Sequence, residues 1–320
     1  MVNKFRLPSK NVLKFGKMVY MAFGDEKNMH FEQIEILEQQ SLAPYAYTQA
    51  GGVVDYLAVP KSQSDLKKLL VWAKNKSIPV QVFGRLSNLV VRDGGLRGLT
   101  ILLHDLHDVE VSHNVIIADA GADLIWVAEQ AFEHGLTGLE WGAGIPGTVG
   151  GAVFMNAGAY GGQTDMVVSS VDALLPSGEI KTFSNEAIDF DYRHSIFQDN
   201  HGIILRATFT LQSGKPEMIK ARMDENNFKR ANKQPLNYPS NGSVFKRPTG
   251  YFAGKLIMDS GLQGVRVGGV EVSQKHAGFM VNVAHGTGND YEDLIKLVQQ
   301  TVRDKYGVTL EAEVRIMGER

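Results

Sequence analysis

The chain has 320 residues, a formal net charge of −2, 43% apolar and 21% charged side chains, and no cysteine. That length predicts two or three packed subdomains rather than one, and the composition is that of an ordinary globular protein. The even charge lacks the basic footprint of a nucleic-acid binder. Without cysteine there are no disulfides, thiolate nucleophiles, Cys-ligated metals or cysteinyl cofactor links, and no run reaches the roughly eighteen apolar residues of a membrane span.

In chain order, residues 1 to 30 carry Lys4, Arg6, Lys10, Lys14 and Lys17 but no apolar stretch long enough for a signal-peptide core, so export is not expected. Residues 1–40 are read as an N-terminal extension with a first helix, and Met18 and Met21 offer alternative starts. Leu66, Leu69, Leu70 and Ala73, following Ser64, repeat with helical spacing between the apolar strands Val53 to Val59 and Val80 to Phe83. This predicts a strand, helix, strand unit ending at Gly84. Val115 to Ala118 reads as a further strand, and Leu124, Val127, Ala128 and Ala131 as a helix ending near Gly135. The glycines at 142, 144, 147, 150, 151, 158, 161 and 162 are too dense for a stable helix interior and predict a loop suited to close backbone approach. Lys215 to Lys233 reads as a polar helical connector, with a domain boundary near 215. Leu294, Leu297, Val298 and Val302 predict a helix capped by Gly307. A last strand follows, in which Leu310, Ala312, Val314 and Ile316 alternate with Glu311, Glu313 and Arg315, so that the charges share one face.

Several segments offer chemistry. Gly142-Ala-Gly144-Ile-Pro-Gly147 matches the GxGxxG pattern, but Pro146 and the following Thr148-Val-Gly-Gly151 predict no Rossmann helix. What survives is the capacity of backbone N–H groups to close around a pyrophosphate, against the plainer reading of tight turns. In Gly84 to Gly95, Ser87 and Asn88 follow a strand and can bind phosphate or flavin edges, with a simple turn as the alternative. His104, His107 and Asp108 are read as a solvated loop, and no metal is expected. Arg193 offers a two-pronged grip on a carboxylate or, more plainly, a surface salt bridge. Ser243 lies in a turn-like stretch leading into a short apolar strand.

Taken together these segments resemble the UDP-N-acetylenolpyruvoylglucosamine reductase family, in order from about Thr48 to Glu319. The resemblance is carried by Gly51-Gly52 with Asp55, Ser87-Asn88 with Asp93-Gly94-Gly95, Gly144-Ile-Pro-Gly-Thr-Val-Gly-Gly151 with Asn156-Ala-Gly158, Tyr192-Arg193, Gly242-Ser-Val-Phe-Lys246, His276-Ala-Gly-Phe279 and Glu313-Val-Arg315. It implies an α+β protein of the family's compact branch: a two-lobed FAD-binding domain of the vanillyl-alcohol-oxidase (PCMH) type over 41–214, with lobes of about 41–105 and 106–214, then an α+β substrate-binding domain over 215–320. It implies non-covalent FAD against Gly84, Arg85, Leu86, Ser87 and Asn88 and against Gly144, Ile145, Pro146, Gly147, Thr148, Gly150, Gly151, Asn156 and Gly158. NADPH is the implied reductant and an enolpyruvyl UDP-sugar of cell-wall synthesis the substrate, in a cytoplasmic monomer without nucleic-acid or membrane partners.

Among the matched positions, Arg193 would bind the substrate carboxylate, Glu313 would face the developing charge in protonated or proton-sharing form, and Ser243 would donate the proton, with Tyr192, Lys246 and Arg247 as substrate contacts. Leu86 departs from the family's Gly-x-Gly-Ser-Asn loop. Because leucine resists a positive φ, the local backbone is expected to differ there. The rival readings are another FAD-dependent oxidoreductase of this fold, acting on an alcohol or sugar, and a non-catalytic nucleotide-binding protein.

Overall fold

The structure is a computed structural model that describes residues 3–5 and 28–320. Where a first helix was expected before residue 40, Asn28–Phe31 and Ile34–Ser41 form an antiparallel hairpin. Glu32 and Gln33 at its tip both have positive φ, the geometry a two-residue hairpin turn demands, and Ile34 and Ile36 alternate into the core. The rest of that expected helix, and both alternative start methionines, lie outside the described residues.

The hairpin continues into a five-stranded sheet ordered 28–31, 34–41, 53–58, 96–102, 80–83, in which Val53–Ala58 and Val80–Phe83 both run parallel to Leu96–Leu102. Helix α1, Gln63–Asn75, crosses between Val53–Ala58 and Val80–Phe83 and buries Leu66, Leu69, Trp72 and Ala73. Its cap is Ser62 rather than Ser64. Ser62 has the extended backbone a cap needs, and its hydroxyl accepts the Asp65 N–H at 3.0 Å.

A second, wholly antiparallel sheet is ordered 3–5, 109–112, 115–119, 203–210, 168–174, 180–184. Helix α2, Leu124–Glu133, and helix α3, Val149–Phe154, pack against it. The sheets are not separate units: Leu66, Leu99 and Ile101 of the first lobe share one continuous core with Ile116, Val127 and Phe209 of the second. Helix α3 corrects the reading of the glycine-dense stretch as pure loop. Thr148 caps it by accepting the Gly151 N–H, and Gly150 is glycine because a Cβ would come within 2.9 Å of the Ala120 Cβ. Close approach, not flexibility, selects glycine there.

Helix α4, Pro216–Lys233, is the connector, and its buried Ile219 and Met223 belong to the core shared by the lobes. Beyond it, the strands Ser240–Ser243, Phe279–Asn282, Val270–Val272 and Arg266–Val267 form an antiparallel sheet backed by α5, Ala253–Asp259, and α6, Gly288–Tyr306. Helix α6 ends at Gly307 with φ +67°, as its sequence predicts, but Leu297 is 40% exposed. The core face runs through Tyr291, Leu294, Ile295, Val298 and Val302, a tighter helical stripe than one including Leu297. The predicted long last strand is also broken up. Ala312 bridges to Phe245, and only Arg315–Met317 is a strand, running parallel to Leu89–Val91 of the first lobe. The segment changes partners midway, crossing from one sheet system to another.

Candidate active site

A cleft of about 1210 Å³ lies where both lobes and the C-terminal sheet converge. The first lobe contributes the loop Gly84, Arg85, Leu86, Ser87 and Asn88, the second the loop Ile145, Pro146, Gly147, Thr148, Gly150 and Gly151. These loops touch: a Cβ on Gly84 would collide with the Thr148 hydroxyl. Two backbone-rich loops pressed together along one wall form a cradle of the kind a dinucleotide diphosphate fits.

Leu86 takes a positive φ within this wall. Its φ is +53°, the left-handed conformation glycine would adopt, and its side chain is 4% exposed, sunk into a cluster with Leu42, Val54, Leu57 and Leu102. Burial holds the leucine where its backbone alone would not go, so its resistance to a positive φ is overcome.

The polar side chains of the first loop mainly hold the walls together. The Arg85 Nε and Nη2 donate to the two Asp123 carboxylate oxygens, each at 2.8 Å, clamping the first lobe to the residue that precedes α2. Asn88 Nδ2 donates to the Glu313 carbonyl at 3.1 Å, and the Arg315 N–H donates to the Asn88 carbonyl at 3.1 Å.

Across the cleft, Arg193 Nε donates to Glu313 Oε1 at 2.7 Å, with both side chains more than four-fifths buried. The Arg193 Nη1 and Nη2 donate to the Asn156 and Gly158 carbonyls at 3.3 and 3.2 Å, and the guanidinium lies 4.9 Å over the Tyr192 ring. The Glu313 N–H donates to the Val244 carbonyl at 2.7 Å, which ties its backbone to the residue after Ser243, an exposed residue on the cleft wall. The Arg247 N–H reaches the Tyr192 hydroxyl at 3.5 Å, and its guanidinium stacks 4.1 Å from the Phe252 ring. Arg193, Ser243 and Glu313, from three distant segments, therefore line one cleft, with Arg193 and Glu313 in direct contact.

Gly144, Asn156 and Lys246 stand outside the lining. Gly144 is packed under α4, where a Cβ would lie 2.6 Å from Asn227 Oδ1. Asn156 is 1% exposed and braces the site from behind, donating to the carbonyl of Asp191 and a carboxylate oxygen of Asp165. The Lys246 ammonium is paired with Glu311. His107 Nδ1 lies 2.9 Å from the Asp105 carbonyl, and among the described residues no group of three or more His, Cys, Asp or Glu side chains is arranged to hold a metal.

The sequence reading gave no site role to several lining residues, although Arg315 and His276 stand in segments that carry the resemblance. Arg230, half-buried near the end of α4, has a buried Nε without a hydrogen-bond partner, and burial pulls its pKa down. Tyr160 lies 5.7 Å from its guanidinium, Arg315 stacks 4.9 Å over Phe154, and Gln198, Lys233 and His276 also line the cleft. Burial likewise lowers the His276 pKa. Arg230 falls in a stretch that reads simply as polar helix, so only the fold shows that its last turn faces a cleft.

A family model described as "FAD binding domain" matches residues 54–184, and one described as "UDP-N-acetylenolpyruvoylglucosamine reductase, C-terminal domain" matches residues 234–317. The UDP-N-acetylenolpyruvoylglucosamine reductase of Leuconostoc mesenteroides is 75% identical over 292 residues, covering 91% of this chain and 100% of that one. That of Pediococcus pentosaceus is 55% identical over 289 residues, covering 90% and 96%. The crystal structure of the Thermus caldophilus UDP-N-acetylenolpyruvylglucosamine reductase superposes with a TM-score of 0.76 at 30% identity, covering 89% of this chain and 99% of that one. The match in sequence, in both domains and over nearly the full length of these relatives makes this chain a member of the UDP-N-acetylenolpyruvoylglucosamine reductases, FAD-dependent enzymes of peptidoglycan precursor synthesis.

Proposed function

We propose that NADPH is the electron source with which this chain reduces UDP-N-acetyl-3-O-(1-carboxyvinyl)glucosamine to UDP-N-acetylmuramate, and that Arg193, Glu313 and Ser243 carry the substrate half of the reaction. The observation that supports the assignment is the Arg193–Glu313 pair at 2.7 Å, in the cleft that the two glycine loops and Ser243 also line. When bound along those loops, FAD supplies the hydride chemistry that no side chain here offers.

The chain's residues then have distinct tasks. Arg193 receives the substrate carboxylate, with its guanidinium held in place by the Asn156 and Gly158 carbonyls. Glu313, held at 2.7 Å by the Arg193 Nε, fixes the orientation of that guanidinium toward the carbon next to the carboxylate. Ser243 passes its hydroxyl proton to the carbon left carbanionic and regains one from water at its exposed position on the cleft wall. Tyr192 and Arg247 grip the remainder of the substrate from the cleft rim. Ser87, with Gly84 to Asn88, and the loop Ile145 to Gly151 hold FAD, while Gly144 and Asn156 support the site from outside and Lys246 pairs with Glu311. The FAD-binding part runs from about residue 41 through 214, with α4 packed on it, and the substrate part from there to 320. All of these groups come from one chain, which suits a monomer, and consumption of NADPH suits the cytoplasm. Among the described residues no helix is long and apolar enough to cross a membrane.

The test is spectroscopic. Purified protein is expected to show flavin absorbance that NADPH bleaches anaerobically and that the enolpyruvyl UDP-sugar restores. Restoration by oxygen alone would reject the substrate, and bleaching by NADH but not NADPH would reject the reductant.

A further inference from the structure

We propose that Gln198 is a positioning residue for Arg193, an inference that rests on Arg193 as the carboxylate-binding group. Arg193 has φ +58°, a left-handed conformation that is strained for a non-glycine residue. The turn that imposes it is closed by reciprocal backbone bonds between Asp191 and His194, at 3.2 and 3.1 Å, and by the Tyr192 N–H donating to Asp191 Oδ1 at 2.7 Å. These bonds shape the turn on either side of Arg193 but leave the carbonyl of Arg193 itself unheld.

Gln198 supplies that hold. Its amide nitrogen has two hydrogens, and both are used: one bond goes to the Arg193 carbonyl at 3.0 Å, the other to the Phe154 carbonyl at 2.8 Å. Phe154 is the last residue of α3, so its carbonyl is one that the helix leaves without an internal partner. Ser195 Oγ donates to the same carbonyl at 3.0 Å. Gln198 sits at the end of the turn Ile196–Gln198, anchored by Phe197, which is 1% exposed. One side chain thus links the helix that starts in the cofactor loop to the peptide that aims the Arg193 guanidinium at Glu313.

Gln198→Met keeps the length and removes both donors. In flavin-loaded enzyme reduced anaerobically by NADPH, reoxidation by the enolpyruvyl UDP-sugar is expected to slow about 10- to 100-fold, the effect of displacing a reacting group by an ångström or less. In an Arg193→Ala background the same substitution is expected to cost under about twofold, because its effect acts through the missing guanidinium. A residue that merely stabilises the fold would cost the same factor in both backgrounds, and that result overturns the proposal. Gln198→Glu gives a readout within one variant. Its neutral acid has one O–H donor for the two carbonyls and its carboxylate none, so its reoxidation rate relative to the native enzyme is expected to rise as the pH falls. A ratio that is flat with pH overturns the proposal as well. If the reduced native enzyme is not reoxidised by the sugar, the functional reading fails and takes this inference with it. If the native enzyme turns over and Gln198→Met matches it, only the role of Gln198 is lost.

Discussion

At Leu86 backbone and side chain pull in opposite directions. The left-handed conformation costs a leucine about 1–2 kcal/mol, and burying its side chain recovers about 1.5–3 kcal/mol. Leu86→Ala discards the burial and keeps the strain, so it is expected to destabilise by about 3 kcal/mol. Leu86→Gly loses slightly more side chain but relieves the backbone, and should be the more stable of the two variants by about 1 kcal/mol. Melting curves followed by flavin fluorescence test that order, and an alanine variant melting above the glycine variant refutes it. The same residue marks what was legible at this scale. The pattern Gly84 to Asn88 located the loop, because glycine, serine and asparagine advertise local backbone needs. It was silent about the partners of Arg85 and Asn88, which lie 38 and 225 residues away. Arg193, Ser243 and Glu313 were singled out only as a set matching a family, since each alone reads as an ordinary surface or turn residue.

Among the elements, α6 was the most legible and also the most instructive. Its apolar stripe and terminal Gly307 gave its position, whereas its polar face performs work that periodicity does not reveal. Thr287 and Asp290 form a reciprocal cap, and one Asp290 oxygen also accepts the Gly269 N–H at 3.1 Å. One turn on, Glu292 takes two bonds from Arg92, at 2.8 and 3.0 Å, and an ion pair from Lys296 at 2.8 Å. These partners hold the Glu292 pKa at about 2, below its ordinary 4.5. A carboxyl lowered on folding stabilises above its unfolded value and loses that contribution as pH falls through its folded one. The pair therefore contributes fully above about pH 4.5 and fades between there and about pH 2. Glu292→Gln is expected to lower the urea midpoint at pH 7 and to flatten its fall across that window. An unchanged acid limb would show that Glu292 does not govern it. Helix α3 and the last strand were misread for opposite reasons. Glycine at 150 concealed a helix because it serves packing, and the alternation of residues 310 to 316 concealed a change of partner because period two records which face is buried, not against what.

For the molecule as a whole, the C-terminal part is bound to the first lobe. Val90 and Ala50 of that lobe lie in the C-terminal core, Asn241 Nδ2 donates to the Leu89 carbonyl at 2.6 Å, and Asn282 Nδ2 donates to the Thr48 carbonyl at 2.9 Å. Arg315–Met317 is the strand partner of Leu89–Val91. Removal of residues 311–320 is thus expected to yield protein without flavin, although chain ends are usually tolerant of such trimming. A truncated protein that purifies yellow and melts within about 5 °C of the full chain would contradict this. The parallel pairing also has a consequence in time. Asn88 and Glu313 are 225 positions apart, and a ribosome adding about 5–20 residues per second makes them about 10–45 s apart. Throughout that interval Leu89–Val91 has an open edge and the loop before it lacks its brace. Flavin capture is accordingly expected to wait for residues 313–317, and a chain cut short before them is expected to be a colourless, edge-exposed polypeptide suited to chaperones and proteases rather than a weakened enzyme.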